Sequence, residues 1–173
     1  MLAYLYQEHN PRSGELVDEK TLSDLGILHK SLPVGESDQA LEQLCTERGY
    51  HHRDQVRISP KDLPNYEERM AQFFKEHLHE DEEIRYILEG SGYFDVRDTQ
   101  DRWVRLHVFS GDLVILPAGI YHRFITDDAN YIHTMRLFQE APKWTPVPRP
   151  AEDNPHRISY LSFLAKRGGL RSP

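Results

Sequence analysis

Long apolar runs are missing from this 173-residue sequence; no stretch approaches the roughly 18 residues that a helix needs to cross a bilayer. Cysteine is nearly absent. Cys45 stands alone, so no disulfide can form within the chain, and such usage fits a reducing compartment. An excess of positive charge is missing too. The 21 Lys and Arg against 28 Asp and Glu leave a formal net charge of −7, with no basic run to offset it. That argues against a nucleic-acid backbone as partner. The start, Met1 to His9, has too short an apolar stretch and the wrong charge for a secretory leader. The expected location is cytosolic, with the nucleus also open to so small a protein. No repeat or linker divides the chain, and residues 1–173 read as a single domain.

What is present is ordinary for a globular protein: 38% hydrophobic and 28% charged residues, in a length sufficient to bury a core. The part up to about residue 75 reads as mixed and mostly helical. Ser37 is placed to cap a helix through Gln39, Leu41, Leu44 and Cys45, and Gly49 sits where such helices stop. A second helix follows Pro64, with Tyr66, Met70, Phe73 and Phe74 forming an apolar stripe that packs as core.

From about residue 76 to 140 the period changes to alternation. Strands are expected over 84–88, 93–96, 103–109, 113–116, 122–125 and 131–138, separated by turn signals such as Gly90-Ser91-Gly92 and Pro117-Ala118-Gly119. Short strands at that spacing predict a small closed or double-sheet β structure. The Pro-rich stretch 142–155 cannot enter a sheet interior and is expected on the surface, followed by a short helix over 158–167 that ends at Gly168-Gly169.

Four residues carry chemistry in their spacing: His77, His79, Glu83 and, further on, His122. In an extended strand, side chains at even separations share a face, so the first three point one way if their segment is extended. Neutral imidazoles with one carboxylate suit Fe(II), Ni(II), Mn(II), Co(II) or Zn(II). The lack of Cys ligands argues against a structural zinc or an iron–sulfur site. Four protein ligands on an octahedral ion leave two positions open, enough for a substrate that binds through two oxygens. Arg85 lies two residues beyond Glu83 and is expected to project into the same cavity, where a buried guanidinium needs an anionic partner. Phe124 is likewise two residues past His122, suited to shaping a pocket or to plain core packing.

The same segments resemble a known superfamily. The run His77-x-His79-x-x-x-Glu83, then Gly90, then Gly111 with Pro117-x-Gly119-x-x-His122, is similar to the paired motifs of the cupins. Ala71 and Thr126 stand where those motifs usually have Gly and Asn, and neither departure removes a ligand. Leu63-Pro64-Asn65-Tyr66-Glu67-Glu68, Asp81-Glu82-Glu83-Ile84-Arg85-Tyr86, Gly90-Ser91-Gly92-Tyr93-Phe94-Asp95 and Leu116 to Phe124, with Met135-Arg136-Leu137-Phe138, together resemble the acireductone dioxygenase family of methionine salvage.

The resemblance implies a mainly β, cupin-type double-stranded β-helix (jelly-roll) barrel with a few flanking helices. It implies one Fe(2+) or Ni(2+) per monomer, held by His77, His79, Glu83 and His122. Glu83 and Arg85 would serve catalysis, and Arg85, Phe124 and Arg136 would contact substrate, although strand parity does not fix the facing of Arg136. The expected substrates are acireductone and O2, the expected state is a monomer, and contacts with protein partners, as in eukaryotic relatives, are compatible with catalysis. Two other readings fit the ligands: a different metal-dependent cupin enzyme, and a cupin with an interaction or regulatory role. His107 and His133, in strand patterns, read as structural histidines rather than further ligands. His9, His29, His51, His52 and His156 read as solvated or capping groups, and Glu80-Asp81-Glu82 as an exposed loop bulge.

Overall fold

The computed structural model describes residues 1–12, 14–35, 38–141 and 145–167. In chain order its elements are β1 (Leu2–Leu5), α1 (Glu19–Asp24), β2 (Leu28–Ser31), α2 (Asp38–Arg48), β3 (His52–Ile58), α3 (Tyr66–Phe73), β4 (His77–Leu78), β5 (Glu83–Arg97), β6 (Trp103–Phe109), β7 (Asp112–Leu116), β8 (His122–Thr126), β9 (Ile132–Phe138), β10 (Val147–Pro148) and α4 (Pro155–Lys166).

The architecture is mainly β and entirely antiparallel, and it turns on β5. The first half of β5 pairs with β7 and β9, which extend outward to β2 and β3; its second half pairs with β6 and β8, which extend to β1 and to β4 and β10. One strand therefore belongs to both walls of the barrel. It changes wall at a bulge between Ile87 and Glu89, beside Gly90 at φ 73°. A Cβ on Gly90 would lie 2.2 Å from the Tyr131 carbonyl oxygen, so the bend requires glycine. The expectation of two strands separated by a Gly90-Ser91-Gly92 turn is thereby corrected: the glycines bend a continuous 15-residue strand rather than end it.

The mostly helical reading of residues up to 75 is also corrected. That stretch supplies β1, β2 and β3, which pair with β6, β7 and β9, so the sheets extend well outside 76–140. Four-residue strands such as β1 and β2 are too short to display a period against noise. The helices around them fare better. α2 runs to Arg48 and stops at Gly49 (φ 69°) as expected, with Leu41, Leu44 and Cys45 packed on the outer face of β5 through Ile84 and Tyr86. The cap expected at Ser37 falls outside the described residues.

α3 follows Pro64, and its Tyr66 hydroxyl sits 2.7 Å from Thr126 Oγ1, which ties the helix to β8. α1, capped by Asp18, was not foreseen. α4 begins at Pro155, earlier than expected, because Asn154 caps it by accepting from the His156 and Arg157 N–H groups and Pro155 occupies the first turn. Its expected stop at Gly168-Gly169 lies outside the described residues. Within the Pro-rich stretch, β10 adds a two-residue edge strand beside β4, a position that tolerates proline.

Candidate metal centre

β5 shows how alternation and the bulge build a cavity. Glu83, Arg85 and Ile87 face inward from its first half; past the bulge the parity switches, and Phe94 faces inward. β8 contributes His122 and Phe124, β9 contributes Ile132, Thr134 and Arg136, and β3 contributes Val56 and Ile58, all at even spacings. Together they enclose about 330 Å³. α3 adds the exposed Arg69 and Gln72 together with Phe73, and Leu63 and Pro146 also line the cavity.

The four predicted ligands meet at one end. The ligand atoms of His77, His79 and His122 all lie within 4.8 Å of one another. Glu83 Oε2 is 3.1 Å from His122 Nε2 and 3.2 Å from His79 Nε2. The route differs from the expectation. His77 to Glu83 is not one extended strand: β4 covers only His77–Leu78, a turn follows, and Glu83 opens β5. Pairing of β4 with β8 puts His77 opposite His122, and the loop returns the chain so that His79 and Glu83 converge on the same point.

The protonation pattern leaves that point short of hydrogens. His77 donates from Nδ1 to the Lys75 carbonyl at 2.7 Å, and His122 from Nδ1 to the Ile120 carbonyl at 3.0 Å. These bonds fix both rings through Nδ1 and leave Nε2 as the ring nitrogen available to a metal. Burial, followed by the His122 charge, pushes the His77 imidazole down to about 4, so it is neutral near pH 7. Burial would raise the Glu83 carboxyl, but Arg85, His122 and His79 hold it well below the ordinary carboxylate range. The ring nitrogens of His122 and His79 thus stand about 3 Å from a buried carboxylate, a grouping of donors suited to a cation between them. An octahedral ion bound at about 2.1 Å to each donor sets neighbouring donors about 3 Å apart, which matches the Glu83 distances. The residues fit a divalent metal.

Arg85 sits in the cavity as expected, with Nη2 at 3.4 Å from Glu83 Oε1 and Nη1 donating to the Ile84 carbonyl at 3.0 Å. Burial, and the nearby Arg136, lower its guanidinium, and Glu83 and Asp54 oppose that. The facing of Arg136 is resolved: it stands opposite Arg85 in the β5–β9 register and opposite Asp54 in the β3–β9 register, and it donates to Asp54 through Nε and Nη2, both at 2.7 Å. Asp54 was missed because only this register reveals it. Phe124 packs at a tilt against Phe94 and edge-on to Phe73, with ring centroids 4.9 and 6.4 Å away, and combines pocket lining with core packing.

His107 and His133 stay outside the cluster: His107 packs at a tilt against Tyr93 and Phe109, and His133 Nε2 pairs with Gln55. Two minor readings change. Glu82 is no bare loop acid, because it accepts from Arg48 and from the Tyr50 hydroxyl. His29 is not solvated; its Nε2 lies 2.7 Å from Asp112 Oδ1.

Gly119 holds the loop before β8. At φ +81° its N–H donates to the His79 carbonyl at 2.9 Å, and a Cβ there would meet the His156 carbonyl oxygen at 2.4 Å. Gly119→Ala is expected to cost about 2 kcal/mol or more of stability, and to weaken metal binding as His79 shifts. A urea melt with and without metal measures both; a parent-like melt would contradict the assigned constraint.

Comparison with known proteins agrees with this geometry. Residues 5–146 match the ARD/ARD′ family model. The acireductone dioxygenase of Emericella nidulans is 51% identical over 173 residues, covering 95% of this chain and 96% of that protein. Acireductone dioxygenase 3 of Physcomitrium patens is 49% identical over 160 residues, covering 91% and 79%. Among solved structures, an acireductone dioxygenase from Bacillus anthracis, with a cadmium ion in its active centre, shares the fold at a TM-score of 0.70 and 22% identity, over 84% of this chain and 96% of that one. A match of that extent, carried by a chain whose three histidines gather at one point beside the Glu83 carboxylate in a cupin barrel, places it in the ARD/ARD′ family, the acireductone dioxygenases.

Proposed function

We propose that this protein cleaves acireductone, 1,2-dihydroxy-5-(methylthio)pent-1-en-3-one, with O2, using one divalent metal held by His77, His79, Glu83 and His122. With Fe(II) the products would be 4-(methylthio)-2-oxobutanoate and formate; with Ni(II), 3-(methylthio)propanoate, formate and carbon monoxide. The observation that carries the reading is the polarity of the cavity. The cavity holds the imidazole–carboxylate cluster and the opposed Arg85 and Arg136, and much of its remaining wall is apolar, from Val56, Ile58, Ile87, Phe94, Phe124 and Ile132, with Arg69, Gln72 and Thr134 as its other polar residues. An ene-diol with a methylthioalkyl tail has the same division, a charged oxygen end and an apolar end.

A bound metal supplies a template and Lewis acid for the substrate oxygens. The chain's own groups do the rest. Arg85 has few hydrogen-bond partners within the protein, so its free N–H groups can meet the anionic oxygens of a deprotonated ene-diol. Arg136, fixed by Asp54, adds positive charge at the opposed position in the next strand. Phe94 and Phe124 keep bulk water from the reacting oxygens.

The test is to strip the metal, reload separately with Fe(II) and Ni(II), and analyse products. The expected result is oxo acid and formate from the first and carbon monoxide from the second. The same products from both would contradict metal-selected chemistry.

A further inference from the structure

The stretch from His77 to Glu83 has little regular structure of its own, since β4 is two residues long and no strand resumes until Glu83. Such a segment keeps a fixed shape only where neighbours hold it. The neighbours come from 147–167, beyond the part of the chain that matches the family model. β10 pairs along the edge of β4 and sets Pro148 opposite His77. Arg149 then fastens the two. Its Nη1 donates to Glu76 Oε1 and to Asp101 Oδ1, each at 2.8 Å, and its Nη2 donates to Asp101 Oδ2 at 3.1 Å.

Glu76, next to His77 in sequence, is gripped from its other side by Arg97, through Nε at 2.9 Å and Nη2 at 3.0 Å. Two carboxylates and two guanidiniums neutralise one another, and the Glu76, Arg97 and Arg149 side chains are largely shielded from water, so the network is worth more than separate surface pairs. Further along, Asn154 Nδ2 donates to Glu80 Oε1 at 2.9 Å, and Arg157 Nη1 donates at 3.2 Å to the carbonyl of Gly119, whose N–H holds His79.

We infer that residues 147–157 form a strap that positions the metal-ligating histidines, and that Arg149 is its principal positioning residue. It acts on His77 through Glu76 and the β4–β10 pairing, without touching the cavity. The inference rests on the metal-site reading above. A strap that merely stabilises the fold would change melting temperature alone. A positioning strap changes the geometry and affinity of the metal.

Cobalt(II), whose visible spectrum reports coordination geometry, separates the two. In Arg149→Met, Co(II) affinity is expected to fall about 10-fold or more, because partners that orient ligands are typically worth roughly 10–100-fold, and the visible bands are expected to shift. Arg149→Lys keeps the charge but loses the fork and should fall between. Arg53→Gln, which removes an exposed ion pair with Glu42, should bind Co(II) as the parent does. If Arg149→Met fails to fold, Asp101→Asn serves: it loosens the outer grip on Arg149, and asparagine tolerates the backbone at φ 60°. It should shift the bands in the same direction by less. Parent-like affinity and spectrum in these variants would overturn the strap's positioning role. A parent protein that takes up no Co(II) would overturn the metal-site reading, and the strap's role with it.

Discussion

His122→Ala is expected to lose its metal on gel filtration and to retain under about 1% of parent turnover, while remaining folded. The hydrogen bond from His122 Nδ1 to the Ile120 carbonyl fixes the ring with Nε2 turned toward Glu83, placed to serve as a ligand. Removing a ligand outright should exceed the roughly 10–100-fold effect of losing a partner that only orients one. The fold should survive because the apolar neighbours Ile120, Tyr121 and Phe124 remain, and because the Glu83 carboxylate keeps Arg85 beside it. Metal analysis after desalting, with a circular dichroism melt, reads both halves of the expectation. Full occupancy in the variant would remove His122 from the ligand set.

Arg85→Met is expected to do the reverse, keeping metal and losing chemistry. All four ligands remain, so occupancy should match the parent. Methionine fills similar volume without N–H groups, and the loss of preorganised donors to a developing anion typically costs about 10²–10³ in kcat. The metal-free form should feel the change differently. Arg85 leads the influences that hold the Glu83 carboxyl down, so that carboxyl should titrate at higher pH in the variant. Steady-state kinetics on metal-loaded protein decide the case. An unchanged kcat would make Arg85 a partner of Glu83 and nothing more.

The clustering of the four candidate ligands was legible because its signal is local: residue types and short spacings survive whatever path the chain takes. The reason first given for it did not survive, since His77 to Glu83 is a strand, a turn and a second strand, and the ligands converge through the β4–β8 pairing. Parity predicted the inward facing of Arg85 and Phe124 correctly because no bulge lies between each of them and its ligand. It could not orient Arg136, whose facing depends on a register set by two other strands.

The same limit hid the continuity of β5, where a glycine pair that usually marks a turn instead permits a bend. It hid β1, β2 and β10 as well, whose few residues acquire strand geometry from partners far away in sequence. Asp54 and Arg149 became visible only once those partners were in place. Long-range pairing, unlike ligand spacing, leaves little trace in the local order of residues.

Oxygen consumption by the Fe(II)-reloaded protein on freshly generated acireductone is the most direct test of the central claim. Rapid uptake that disappears in the metal-free protein and returns on reloading is the predicted result. No uptake, with Fe(II) verified in the site and the substrate intact, would contradict the assigned reaction.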